Sequence, residues 1–457
     1  MVNVTKISDT MTNSETYDMP KIKVTPPGEN AKKVIEQDKK YIVTSTKLSP
    51  IVVKRASGAI VEDVDGNKYL DFTCGAGVTN LGHCPPKVIE AIREQVGSVI
   101  HFLGQDFYYE SQSKLAQKLT ELTPGNFEKK VFFCNSGAES VEAAIKLSRW
   151  TTGRKRFISF MGAFHGRTMG AVSMTGSKPV HRDKFMPLMP GVTHVPYAYC
   201  YRCPYKQTYP ECDIWCAKII EENYFNTFLP PDEVASLFLE CVQGEGGYIV
   251  PPKEFIPELA KIMKSHGILI VDDEVQAGFG RTGKMFAAEH FELEPDIITV
   301  AKGMGSGVPI GAAVARAELD FGASGAHSNT YGGNLVSVAS VLATLEIFEE
   351  EKIVENSYKL GGIINKRLNE LFDKYEIIGD VRGLGMMTAT EFVKNRKTKD
   401  YATDERNAVV VEAYKHGLLL LPCGRSSIRY IPPLNIPIEQ LDRGLDILDD
   451  AIKAVVQ

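Results

Sequence analysis

The segment DIITVAKGMGSGVPIG puts Lys302 directly after a short apolar run and before a glycine-rich turn. An amine there is partly desolvated yet reachable past small residues. Desolvation disfavours the ammonium form and leaves free amine to condense with a carbonyl, which is Schiff-base chemistry. A strand-end lysine snorkelling to solvent would read the same way in this segment alone. In GILIVDDEVQAGFGRTG, Asp273 ends an apolar run, and Glu274 and Gln276 follow it on one rim. A buried carboxylate is costly without a cationic partner, and a protonated pyridine nitrogen is such a partner, kept charged as an electron sink. The plain alternatives make Asp273 a helix cap or the ion-pair partner of Arg281.

CNSGAES, between a strand and a helix, offers the backbone N–H groups of Ser136, Gly137 and Ala138 at the positive end of that helix. Phosphate binds well at such a place, although an ordinary N-cap needs no ligand. GAFHGRT sets Phe164 beside His165, Gly166 and Arg167. A ring there can stack on a flat ligand, worth about 0.5–1.5 kcal/mol, and the arginine fork suits a carboxylate. Taken singly, the two residues read equally as a core aromatic and a surface arginine. CYRCPYKQTYPECDIWC gathers Cys200, Cys203, Cys212 and Cys216 within seventeen residues. Four thiolates could hold zinc or an iron–sulfur cluster, but the second pair is spaced by three residues and no histidine is close. Local disulfides or reduced thiols are together the favoured reading.

These groups need a scaffold. Apolar runs at RFISF, SLFLECV, GILIVDD and DIITVAKG alternate with helical stretches such as PKEFIPELAKIMKSHG, as buried parallel strands with crossover helices do. In such an α/β sheet, functional groups collect at the carboxyl ends of strands. Upstream, IVVKRASGAIVEDVDGNKYLDF reads as a small antiparallel meander turning at Ser57-Gly58 and Asp65-Gly66. Beyond residue 335, two long helical segments precede strand-like pieces at IIGDVRGLGMMTATEF and SIRYIPPL. The expected division is a flexible arm over 1–30, part of a small domain over 31–85, a large α/β domain over 86–335, and a C-terminal α+β domain over 336–457. No internal repeat suggests a solenoid.

The chain has 457 residues, 44% hydrophobic and 24% charged, the profile of a globular protein with a sizeable core. Its 52 basic and 57 acidic residues give a net charge of −5, too mild to attract nucleic acid or an anionic membrane. Small-molecule partners are expected instead. A polar N-terminus and the lack of any bilayer-length apolar run point to the cytoplasm, where most of the nine cysteines would stay reduced.

Taken together and in order, GAFHGRT, VQGEGG, VDDEVQAGFGRTG, AKGMGSGVPIG and NTYGGN resemble the class III aminotransferases of fold type I, the group of 4-aminobutyrate, ornithine and acetylornithine aminotransferases. The resemblance runs from LDFTCGAGVTNLGH to IRYIPPLN. It implies a mostly parallel central sheet flanked by helices, and a smaller α+β domain built from the chain termini. It implies pyridoxal 5'-phosphate bound to Lys302, with Asp273 on the pyridine nitrogen, Gln276 on the phenolic oxygen and Phe164 on the ring face. Gly137 and Ala138 would bind the phosphate, with Ser136 and His165 alongside. Thr330, in NTYGGN, would reach the phosphate of the partner subunit, which implies a homodimer with shared sites and leaves pairing into a tetramer open. Arg167 and Arg429 match the arginines that bind substrate carboxylates. Glu245 matches the acid that masks the second of them, and Glu240 another acid near the site. Ala76 stands where ornithine enzymes carry tyrosine, which counts against the δ-amine of ornithine and opens the pocket to larger apolar amino acids. Cys241 stands where proline is usual, for no evident functional reason.

The reaction implied moves an amino group from an amino acid or a 4-aminobutyrate-like ω-amine to an oxo acid such as 2-oxoglutarate or pyruvate. An amino acid racemase or epimerase on the same scaffold is the rival. A non-catalytic binding protein is a more remote one, because Lys302, Asp273, Gln276 and Arg167 are all retained.

Overall fold

Glycines at Gly58 (φ 54°) and Gly66 (φ 83°) turn the chain back on itself after each short run of the meander. The result is an antiparallel set, β1 (Val53–Ser57), β2 (Ile60–Asp63) and β3 (Lys68–Asp71), as the alternation predicts. The computed structural model describes residues 18–457, so the first seventeen residues of the expected arm lie outside the described residues. Residues 18–28 run along β3, where Lys21 and Lys68 exchange backbone hydrogen bonds. The helix Glu29–Tyr41 then starts on Asp65, whose carboxylate accepts from the amides of Asn30 (2.9 Å) and Ala31 (3.0 Å).

The central sheet has seven strands: β4 (Lys129–Cys134), β5 (Arg156–Phe160), β6 (Val192–Val195), β7 (Val234–Leu239), β8 (Leu269–Asp273), β9 (Ile297–Val300) and β10 (Gly311–Arg316). Their spatial order is β4-β10-β9-β8-β7-β5-β6. All pairs are parallel except those of β10, which runs antiparallel to both β4 and β9. Strands β7 and β9 are buried along their whole length, as continuous apolar runs covered on both faces should be. The helices Gly137–Thr152 and Phe255–Ser265 pack against the sheet. Sequence alternation did not single out β6 or β10, the first a four-residue VTHV and the second an alanine-rich GAAVAR with little β signal.

A third sheet is formed late in the chain by β11 (Ile378–Leu384), β12 (Met387–Phe392), β14 (Leu421–Cys423) and β15 (Ser427–Tyr430), in the order β11-β12-β15-β14. Between them β13 (Leu418–Leu419) leaves to pair in parallel with β3, so the N- and C-terminal stretches share one sheet. Among the described residues no helix is long and apolar enough to cross a membrane.

Five carboxyl ends of the central sheet converge on one rim. There β8 ends at Asp273, β9 two residues before Lys302, β4 two before Ser136, β5 four before Phe164, and β7 directly before Glu240. Arg281 fastens that rim to the rest of the molecule. It is fully buried, donating to Asn80 Oδ1 (2.7 Å), the Pro432 carbonyl (2.6 Å) and the Met386 carbonyl (3.3 Å). Arg281→Ala leaves three buried acceptors without donors and a cavity, so it should destabilise the protein by about 3–5 kcal/mol. A denaturant midpoint shifted by the equivalent of less than about 1 kcal/mol would contradict this role for the guanidinium.

Candidate active site

The converging strand ends enclose a cavity of about 470 Å³. Lys302 lines it from a strained backbone, φ 38°, in the single turn after β9. The next residue must be glycine, since a Cβ on Gly303 would lie 2.3 Å from Asn80 Nδ2. Burial lowers the Lys302 pKa; Asp273 opposes that shift and Arg429 adds to it. The amine is therefore poised toward its neutral, nucleophilic form.

Asp273 is nearly fully buried, 4% exposed. Its Oδ1 accepts from the Val275 amide at 3.0 Å, and its Oδ2 lies 2.7 Å from His165 Nδ1. The partner of the acid is thus His165, whereas Arg281, the ion-pair alternative, is committed to Asn80 and two carbonyls. The cap-like contact to Val275 is present as well. His165 is buried, which alone would depress its pKa, but the bond to Asp273 raises it overall. Glu240 is buried too and binds two backbone amides, Phe164 N at 3.2 Å and Gly244 N at 3.3 Å, so it holds the loop that carries Phe164. Burial pushes its pKa up to about 7, with His165 opposing and Asp273 adding to the rise.

The Ser136 hydroxyl caps the helix Gly137–Thr152, accepting from Glu139 N at 3.3 Å. The first amides of a helix have no carbonyl four residues back to bond. Close approach is enforced there: a Cβ on Gly137 would meet Val275 Cγ1 at 2.6 Å, and one on Gly166 would meet Ala138 Cβ at 2.8 Å. Gln276 is wedged by Gly244 on one side and Gly77 on the other, and its buried Oε1 has no protein partner. Phe164 packs edge-on against His181, centroids 5.4 Å apart, and the Arg167 guanidinium lies 5.7 Å from its ring centre.

Eleven expected residues line this one cavity: Ser136, Gly137, Ala138, Phe164, His165, Arg167, Glu240, Glu245, Asp273, Gln276 and Lys302. Arg429, on β15, reaches it through Glu245, with Nη2 3.1 Å from Glu245 Oε2. Ala76 does not line it; the neighbouring Val78 does. Ala76 instead sits in a left-handed turn in which Cys74, Gly75, Ala76 and Gly77 have φ of 44°, 57°, 65° and 83°. Thr330 is exposed and outside the cavity of its own chain. Cys200, Cys203, Cys212 and Cys216 are free thiols around a separate small cavity. Sequence reasoning missed Lys178, whose Nζ lies 2.5 Å from Glu245 Oε1, because nothing in GSKPVH marks it.

The family described as Aminotransferase class-III matches residues 41–452. The chain belongs to the class-III aminotransferases. Among its relatives, the isoleucine 2-epimerase of Lentilactobacillus buchneri is 39% identical, covering 93% of this chain and 96% of its own. The alanine/serine racemase of Pyrococcus horikoshii is 40% identical over 95% and 93%. The 5-aminovalerate aminotransferase of Pseudomonas aeruginosa is 41% identical over 88% and 93%. An omega transaminase of Pseudomonas jessenii, solved in complex with PMP, superposes with a TM-score of 0.87 at 28% identity, covering 92% of this chain and 98% of that one. Enzymes of this family use pyridoxal phosphate, and the cavity of this aminotransferase fits that group. It brings together a desolvated amine, a buried acid, an orphaned amide oxygen at Gln276 and a glycine-lined helix N-terminus.

On the opposite face of β8, strand alternation turns Asp272 and Glu274 away from the cavity. Their carboxylates and the Cys241 thiol lie within 4.8 Å of one another, fully buried. Two such acids cannot both ionise, so the pair retains a proton; burial raises both pKa values, and for Glu274 the Asp272 charge raises it further. The folded protein therefore holds protons that the unfolded chain releases from about pH 4 upward, and stability falls as pH rises through that range. Asp272→Asn should flatten this decline, measured as the difference between denaturant midpoints at acidic and mildly alkaline pH. An unaltered pH slope would contradict proton sharing.

Proposed function

We propose that this aminotransferase moves an amino group from an amino acid or a terminal amine to an oxo acid such as 2-oxoglutarate or pyruvate. One observation carries the reading: the cavity has an open arginine, Arg167, and a second, Arg429, neutralised by Glu245. A gated second carboxylate site is useful when two substrates with different numbers of carboxylates take turns in one pocket. An enzyme that acts on one amino acid alone has no need of it.

Bound here, pyridoxal phosphate supplies an electrophilic aldehyde and an electron sink. Lys302 Nζ, its pKa lowered by burial, would hold it covalently and, once displaced by substrate, take the proton from the substrate carbon and return it. Asp273, oriented by His165 and the Val275 amide, would balance the ring-nitrogen charge. Gly137 and Ala138 would hold the phosphate, Phe164 the ring face, Gln276 the phenolic oxygen and Arg167 the substrate carboxylate. With a monocarboxylic donor Glu245 neutralises Arg429; with a dicarboxylic acceptor it releases that guanidinium.

Assembly as a homodimer is part of the same reading. An exposed apolar stretch, with Ile100, Phe102, Leu103, Phe107 and Tyr108, lies near Tyr331, whose ring is 4.9 Å from that of His101. This is the kind of surface a second copy covers, and Thr330 beside it would reach the phosphate of the other subunit. The boundaries at residues 85 and 335 are supported by the strand grouping, since every strand of the central sheet falls between Lys129 and Arg316, whereas the one at 30 falls inside the helix Glu29–Tyr41. A cytoplasmic location fits nine free cysteines.

Racemisation is the second reading, favoured by relatives named as an epimerase and a racemase. It would use the same Lys302 but return the proton to the other face of the substrate carbon. The decisive experiment supplies single enantiomers of nitrogen-15-labelled amino acids with and without 2-oxoglutarate. Label in glutamate, with configuration of the unreacted donor retained, is the expected result. Configuration lost without acceptor, and no label transferred, would replace transfer by racemisation.

A further inference from the structure

Glu245 is held by two cations, one on each oxygen: Arg429 Nη2 is 3.1 Å from Oε2, and Lys178 Nζ is 2.5 Å from Oε1. The side chains are 9% exposed for Arg429, 16% for Glu245 and 31% for Lys178. Burial alone would raise the Glu245 pKa, but Arg429 and then Lys178 hold it below the ordinary carboxylate value. We infer that Lys178 is the counter-ion that keeps Glu245 paired when Arg429 is released, and so sets the preference for dicarboxylic over monocarboxylic substrates.

This role of Lys178 rests on the proposed second-carboxylate role of Arg429 and on which of the three groups can move. A desolvated carboxylate that leaves a guanidinium needs another cation or water, because an unpaired charge in that setting is costly. Arg429 cannot follow it. It lies in β15, paired with Ala389 on one side and Leu421 on the other. Arg406, which also feels the Glu245 charge, is tied to the carbonyls of Cys423 and Ser427. His181, another titratable neighbour, has its Nδ1 on Ser177 Oγ at 2.9 Å, and burial lowers its pKa toward the neutral form. Lys302 also feels the Glu245 charge but is committed to the proposed cofactor, whereas Lys178 is already on Glu245 and has a flexible stem, three rotatable donors and partial access to solvent.

The consequence is asymmetric. Without Lys178 the closed state still has Arg429 on Glu245, whereas the open state has no cation on it. Opening becomes harder, and only ligands that require opening suffer. Lys178 is therefore a positioning residue, acting through Glu245.

The test uses the holoenzyme and two unreactive ligands, glutarate and butyrate, with affinities read by calorimetry at fixed pH and ionic strength. K178M should lower the glutarate-to-butyrate affinity ratio by about tenfold or more, the scale of removing one partner from a buried charge cluster. KM for 2-oxoglutarate should rise by a similar factor relative to KM for pyruvate, and K178R should restore both ratios to within about threefold, since the cation is kept. K178Q stands in should K178M fail to fold. A ratio within about twofold of the parent, or equal weakening of both ligands, overturns the inference. R429A separates the two levels of the argument. If R429A lowers the glutarate ratio and K178M does not, only the role of Lys178 fails. If R429A also leaves the ratio unchanged, the second-carboxylate reading itself fails, and this inference with it.

Discussion

Asp273 is a carboxylate buried at the end of a central parallel strand, and much of its surroundings serves to keep it there. Sealing a charge in the interior is costly unless a cation and hydrogen bonds replace water. His165 and the Val275 amide supply part of that replacement. They also fix the direction of the acid, so what it offers the cavity is an oriented charge. Glu240, raised toward neutrality by its own burial, holds the loop that carries both Phe164 and His165 without adding a full second charge beside the first.

The same constraint explains why the rim is built of glycine and of strained turns. Lys302 enters the cavity from a left-handed backbone, and Gly303 leaves room for Asn80, which in turn receives Arg281. Gly137 and Gly166 let the helix N-terminus close on the loops after β8 and β5. These contacts link the acid, the amine and the N-terminal end of the helix into one packed unit. The substrate end differs. There the charges of Arg429, Glu245 and Lys178 are paired with one another, an arrangement that under the proposed function lets the recognition groups change partners while the reactive groups stay fixed.

Much of this was legible in the sequence because parallel strands advertise themselves. RFISF, GILIVDD and DIITVAKG are apolar on both faces, and a polar residue at the end of such a run has few places to be other than the sheet rim. Eleven of the expected residues meet in one cavity for that reason. What the sequence hid depends on contacts between distant segments. His165 as the partner of Asp273 is 108 positions away in the chain. Lys178 is an unremarkable lysine until the fold brings Glu245 to it. The left-handed turn at Cys74–Gly77 includes a cysteine and an alanine, residues that give no signal for that conformation. The raised pKa values of Asp272 and Glu274 follow from alternation along β8, but only burial on both faces of the sheet makes them a constraint.

The central claim is a covalent one and can be tested directly. Borohydride reduction of the purified enzyme followed by peptide mapping should recover a pyridoxyl group on the peptide containing Lys302, with loss of the visible absorbance of the bound cofactor. Recovery of the pyridoxyl group on another lysine, or none bound at all, would contradict the account at its root.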